Sequence, residues 1–165
     1  MRKLFLSILF ISSISAVAQT GVCSEFHRKN CNANNEKTEG DWTYNAQSKS
    51  GLFTQGMTSK IKCVVYKGMD YRINVCCESK LGNQLNYKIY DGRTNKLLYD
   101  NATEKNKPDF IFQSATTRQL VIELTVPNLS SAEKVKGGDR SPIDADCVGL
   151  LIENKITNKQ GFSTY

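Results

Sequence analysis

Histidine is almost missing from this chain of 165 residues: His27 is the only one, alongside one tryptophan and three prolines. Any Ser-His-Asp or Cys-His mechanism would therefore have to run through His27. It lies in a polar, Asn-rich stretch that reads as an exposed loop, and no Gly-x-Ser-x-Gly elbow is present. After the N-terminus no apolar run approaches the ~20 residues of a membrane span. Lysines and arginines do not cluster with interleaved aromatics, which argues against nucleic acid as a partner. The nearest group, Lys60, Lys62, Lys67 and Arg72, fits a solvated strand edge whose lysines discourage sheet-to-sheet pairing. Internal repeats and a helical apolar period are also lacking.

The chain opens with MRKLFLSILFISSISAVAQ, in which Arg2 and Lys3 precede an apolar run, Leu4 to Ile14, and then Ala16-Val17-Ala18. That is the layout of a signal peptide, with cleavage expected after Ala18. The bulky Val22 before Cys23 disfavours a lipidated cysteine. What remains, Gln19 to Tyr165, fits one soluble domain burying roughly two-thirds of its unfolded surface. Loss of Arg2 and Lys3 from 22 basic residues leaves 20 against 16 acidic ones, a net charge of about +4. The expected location is the periplasm or the outside of the cell.

All six cysteines, Cys23, Cys31, Cys63, Cys76, Cys77 and Cys147, lie beyond the cleavage site. An even number in an exported chain points to disulfides. Cys23, His27 and Cys31 have C-x3-H-x3-C spacing, but no second pair of ligands follows, as structural zinc requires. On one continuous helix Cys23 and Cys31 would start about 12 Å apart, too far for a bond. Either they bond each other through a loop, or a helix sends both to partners elsewhere. The Asn-rich surroundings favour the loop. The expected pairs are Cys23–Cys31, Cys63–Cys76 and Cys77–Cys147.

Residues 19–40 read as an irregular segment tethered by cysteines. Trp42 to Ser50 looks extended, with Trp42 and Tyr44 on one face. Lys60–Tyr66 and Tyr71–Cys77, joined by Lys67-Gly68-Met69-Asp70, have the form of a hairpin. With Tyr66 opposite Tyr71, Val64, Ile73, Val75 and Cys77 would share one face; Ile61, Cys63, Val65, Arg72, Asn74 and Cys76 would share the other. Leu85, Tyr87 and Ile89 alternate with polar residues before an Asp91-Gly92 turn into Leu97 and Tyr99. Leu120, Ile122, Leu124 and Val126 alternate in the clearest strand, which Pro127 ends. Cys147 to Ile152 is apolar on both faces, as in a central strand. The sum is an all-β fold: an antiparallel β-sandwich of about eight or nine strands, of jelly-roll or related topology.

Gly68 to Val75, Leu85 to Asp91, Leu97 to Asp100 and Leu120 to Leu124 resemble, in order, the prokaryotic pre-peptidase C-terminal domain, so the sandwich can also be described as PPC-like. The resemblance covers roughly half the mature chain and implies an accessory binding or stabilising role without catalysis. The six cysteines and the long loop before Cys147 depart from that pattern. In style the chain also resembles small exported proteins of Bacteroidetes.

Three candidate sites remain. Asp139, Asp144 and Asp146, in a loop rich in Ser, Gly and charge, are oxygen ligands of the kind calcium takes, although Arg140 among them opposes a cation. The same carboxylates are the best pair for a small hydrolase. Trp42, Tyr44 and Tyr90 are aromatics suited to stacking on a sugar or anchoring a protein. The reading these observations favour is a non-enzymatic exported sandwich, without cofactor, that binds a protein or cell-envelope component. A carbohydrate-binding module and a carboxylate hydrolase are the alternatives.

Overall fold

Because Cys147 to Ile152 carries apolar side chains on both faces, it needs cover from both sides. The computed structural model, which describes residues 21–31, 42–78, 81, 85–128 and 145–157, places it in the middle of a sheet. The strands are β1 (Thr43–Tyr44), β2 (Lys49–Phe53), β3 (Thr58–Val65), β4 (Met69–Cys77), β5 (Asn86–Asp91), β6 (Leu97–Asp100), β7 (Asp109–Gln113), β8 (Arg118–Thr125) and β9 (Asp146–Ile156). They are preceded by one short helix, α1 (Phe26–Asn30). The first sheet runs β1-β9-β4-β7, with β2 also paired to β9; the second runs β3-β8-β5-β6. Every pairing is antiparallel. The protein is an all-β sandwich.

Alternation builds the core. Tyr71, Ile73 and Val75 of β4 and Val148, Leu150 and Ile152 of β9 point inward, towards Leu120, Ile122 and Leu124 of β8, Tyr87 and Ile89 of β5, and Cys63 and Val65 of β3. The expected partnership of β3 with β4 does not occur. β3 pairs with β8, and β4 pairs with β7 and β9, so the turn around Gly68 crosses from one sheet to the other. Gly68 supplies the positive φ of 79° that this turn needs. The faces of the two strands are therefore set independently: β4 points as expected, whereas on β3 it is Cys63 and Val65 that are buried in the core.

The β5–β6 hairpin forms as the Asp91-Gly92 signal indicates. Asp91 Oδ1 accepts hydrogen bonds from Arg93 N (3.0 Å) and Thr94 N (2.8 Å). At the far side of the sandwich a run of rings, Tyr87, Tyr99, Phe110, Phe112 and Tyr71, bridges the sheets with centroids 3.9 to 5.7 Å apart. On the near side the edge of β3 is covered by a side chain. Gln47 donates from Nε2 to Val64 O (3.0 Å) and accepts Val64 N–H at Oε1 (2.7 Å), imitating the backbone of a neighbouring strand. The lysines of β3, Lys60 and Lys62, lie on this edge strand, as their pattern indicates, but Arg72, expected with them at a solvated edge, is buried on β4 between β9 and β7.

The irregular reading of the N-terminal segment needs correction in part. It contains α1, and its cysteines reach distant partners: Cys23 bonds Cys147 and Cys31 bonds Cys76, with Cα separations of 5.4 and 5.1 Å. None of the three expected pairs forms. A Cys23–Cys31 bond gives way to the helical alternative, in which both sulfurs are aimed at the sheet beneath. Cys63–Cys76 and Cys77–Cys147 fail because of side-chain alternation. Cys63 and Cys77 lie on the core side, while Cys76 and Cys147 lie on the outer face of the first sheet, under α1.

Candidate binding surface on the outer face of the first sheet

On the outer face of the first sheet the registers set side chains in rows. Ser50, Gly149 and Cys76 form one row, and Tyr44, Glu153, Arg72 and Ile111 form another. The first is roofed by α1. Gly149 makes that roof possible, since a Cβ there would lie 2.6 Å from Cys31 Sγ and 2.8 Å from His27 Cα. Phe26, Cys23 and Cys147 form a small apolar cluster under the helix, with Cys76 against it.

α1 also buries His27, which is 5% exposed and so is not the exposed loop histidine its surroundings suggest. Its main-chain N–H donates to Ser50 Oγ (2.8 Å), its Nδ1 lies 2.6 Å from the same oxygen, and its Nε2 lies 3.1 Å from the Tyr44 hydroxyl. Ser50 Oγ thus meets both the main chain and the ring of His27. Burial lowers the His27 pKa from its usual value; Glu25 works in the opposite direction, and Arg28 and Lys49 lower it further.

Ser50 and His27 stand at the separation of a nucleophile and its base, yet the surroundings oppose that chemistry. A histidine base must become an imidazolium as it takes the serine proton. Here burial, Arg28 and Lys49 all disfavour the cation, and the far nitrogen meets a tyrosine hydroxyl where a triad has a carboxylate. The arrangement satisfies a buried ring and ties α1 to β1 and β2.

Beside the helix, Arg72 and Glu153 form an ion pair at 2.7 Å, with side chains 5% and 10% exposed. Such a pair contributes little net stability, since desolvation offsets its Coulomb gain, but it holds a fixed geometry. Trp42 lies over it. The Arg72 guanidinium is 4.8 Å and the Lys155 ammonium 4.6 Å from the indole centroid. Tyr44 carries the His27 ring stacked at 5.9 Å and the Arg28 guanidinium 4.3 Å from its centroid. These are cation–π distances. They leave half-buried aromatics rimmed by Arg28 and Lys155.

Trp42 and Tyr44 thus belong to one surface and Tyr90 does not: it projects from the outer face of the second sheet, its hydroxyl 3.5 Å from Glu123 Oε1. The expected grouping of the three is corrected by the sandwich itself, which separates them by two sheets. Of the acidic-loop candidates, Asp139 and Asp144 lie outside the described residues. Asp146 is buried at the start of β9, where its Oδ1 accepts Cys147 N–H at 3.1 Å. Among the described residues there is no group of three potential metal ligands and no helix long and apolar enough to cross a membrane. The signal segment, residues 1–18, also lies outside the described residues.

Arg72, Glu153 and Lys155 escape a reading of the sequence as members of this surface. The one signal for the first two is a charge beside buried strand residues, Tyr71 and Ile73 for Arg72 and Ile152 for Glu153.

No protein-family model and no curated protein matches the chain. Among solved structures the chain is similar to that of Aeromonas hydrophila PliG, a periplasmic lysozyme inhibitor of g-type lysozyme. The two share 12% sequence identity over 66% of this chain and 84% of that one, with a TM-score of 0.43. At that identity and score the likeness bears on neither activity nor partner.

Proposed function

We propose that this protein is a non-enzymatic binding protein of an oxidising compartment, periplasmic or extracellular, that engages a protein partner through Trp42 and the rim around it. The observation that carries the reading is Trp42 itself, half-buried over the Arg72–Glu153 pair with Lys155 beside it. Trp, Tyr and Arg on a rigid support are the side chains that dominate protein interfaces. Arg28 is paired with Glu25 at 3.2 Å, so it is the rim cation Lys155 that favours a partner surface presenting a carboxylate. The accessory binding role implied by the resemblance to pre-peptidase C-terminal domains points the same way, as do the signal-like N-terminus and the two disulfides. A carbohydrate-binding role is less well supported, because sugars stack on open ring faces, while Trp42 and Tyr44 already carry cations against theirs.

Immobilised mature protein and its variants, exposed to the cell-envelope fraction and to a glycan panel, test this reading. The expected result is one protein retained by the wild type and by Tyr90→Ala, weakened at least tenfold by Trp42→Ala, and released by salt. Equal retention by Trp42→Ala would remove the surface from the account. Retention on a glycan, lost with Trp42→Ala, would transfer the function to carbohydrate binding.

A further inference from the structure

β2 presents Lys49, Gly51 and Phe53 to the interior of the sandwich, opposite Leu150, Val148 and Asp146 of β9. The middle position has no side chain; the Phe53 ring leans against it, its Cε2 3.3 Å from where a Cβ would stand, and a gap remains beside the two. Ser59 and Ile61 of β3 close the gap from the other sheet, with Leu124 of β8 behind them. The result is a cavity of ≈ 140 Å³, lined mainly by apolar atoms and open on one side to solvent. An enclosed apolar cavity of about 150 Å³ takes up benzene, so this volume, although open on one side, matches a single ring or a short chain. The mouth has a different chemistry. Lys49 stands there exposed, with no ion pair among the described residues, and Ser59 offers a hydroxyl. Ser50, although it also lines the space, has its hydroxyl committed to His27.

We propose that this cavity is a binding site for a small amphipathic monocarboxylate, a single-ring acid or a short-chain acid of about six carbons, with its apolar part between Phe53, Ile61 and Val148 and its carboxylate at Lys49. The size of the gap sets the apolar part, and the single cation among the lining residues, with the Ser59 hydroxyl beside it, sets the head group. The site opens between the sheets, whereas Trp42 lies over Arg72 on the outer face of the first, so the two readings are tested separately.

The test is a titration of the full mature chain with hexanoate and, separately, hexan-1-ol, followed by methyl NMR. Hexanoate should shift the methyl signals of Ile61, Leu124, Val148 and Leu150 saturably, with a midpoint of about 1 mM, the affinity of a weak small ligand. Lys49→Met, a substitution at an exposed position, should weaken hexanoate about fivefold, the upper range for an exposed ion pair, and leave hexan-1-ol unchanged. Ser59→Leu, which fills the gap from the facing strand, should abolish both; the amide spectrum of each variant verifies its fold. Absence of saturable shifts in the wild type, equal weakening of both compounds by Lys49→Met, or binding that survives Ser59→Leu in a folded protein would each overturn the proposal.

Discussion

At the scale of single residues, His27 is a buried polar group held by specific partners, with a measurable consequence. It is buried, both ring nitrogens have a neighbour, and its pKa is lowered by burial first, then by Arg28 and Lys49, against Glu25. In the unfolded chain a histidine titrates near 6.5. Below that pH the unfolded state binds a proton that the folded state resists, so stability falls as pH drops from about 6.5 towards the lowered folded value, and is unaffected above it. Urea midpoints between pH 8 and 5 should show this decline, and His27→Gln should flatten it. Because His27 is the only histidine, its ring signals report the folded pKa without ambiguity. Cys63 shows the same physics with the opposite sign: burial in the core raises its thiol to about 11, which leaves little thiolate to react at neutral pH.

At the scale of elements, α1 is five residues long, too short to persist by its own hydrogen bonds. It exists because Cys23, Cys31, Phe26 and His27 all attach it to the sheet, and because Gly149 lets it come close. Gly149→Ala would set a methyl 2.8 Å from the His27 main chain and 2.6 Å from Cys31 Sγ, so the helix must lift. The expected cost is about 1 to 3 kcal/mol, the range for overpacking a tight contact. Gly21→Ala, with nothing within 4 Å, should stay within about 0.5 kcal/mol. Urea denaturation of the two variants checks both values. What the sequence revealed at this scale was the strands, because alternation is local: β8, the β5–β6 hairpin and the central β9 all stand where their patterns place them. The partnership of strands was less legible. Lys67 to Asp70 has the composition of a hairpin turn, yet the chain changes sheet there, since a short glycine turn serves either purpose and the choice rests on distant β7, β8 and β9. His27 was misjudged for a related reason: a polar segment reads as solvated until a glycine over a hundred residues away offers it a place to dock.

At the scale of the whole molecule, two disulfides draw the N-terminal segment across the outer face of the first sheet, and that gives Tyr44 and His27 their fixed neighbours. Their sequence separations are 124 and 45 residues. In the chain-entropy account these lengths correspond to about 5 and about 4 kcal/mol of stabilisation. A local Cys23–Cys31 bond would close a small loop and leave α1 without its anchors on β4 and β9; the candidate surface would then lose the helix that contributes Arg28 and His27 to it. Peptide mapping of the mature protein without reduction, after alkylation in denaturant, therefore tests the central claim most directly. The account predicts two linked peptide pairs, Cys23 with Cys147 and Cys31 with Cys76, and alkylated thiols at Cys63 and Cys77. Recovery of Cys23 linked to Cys31, or of Cys63 linked to Cys76, would contradict it.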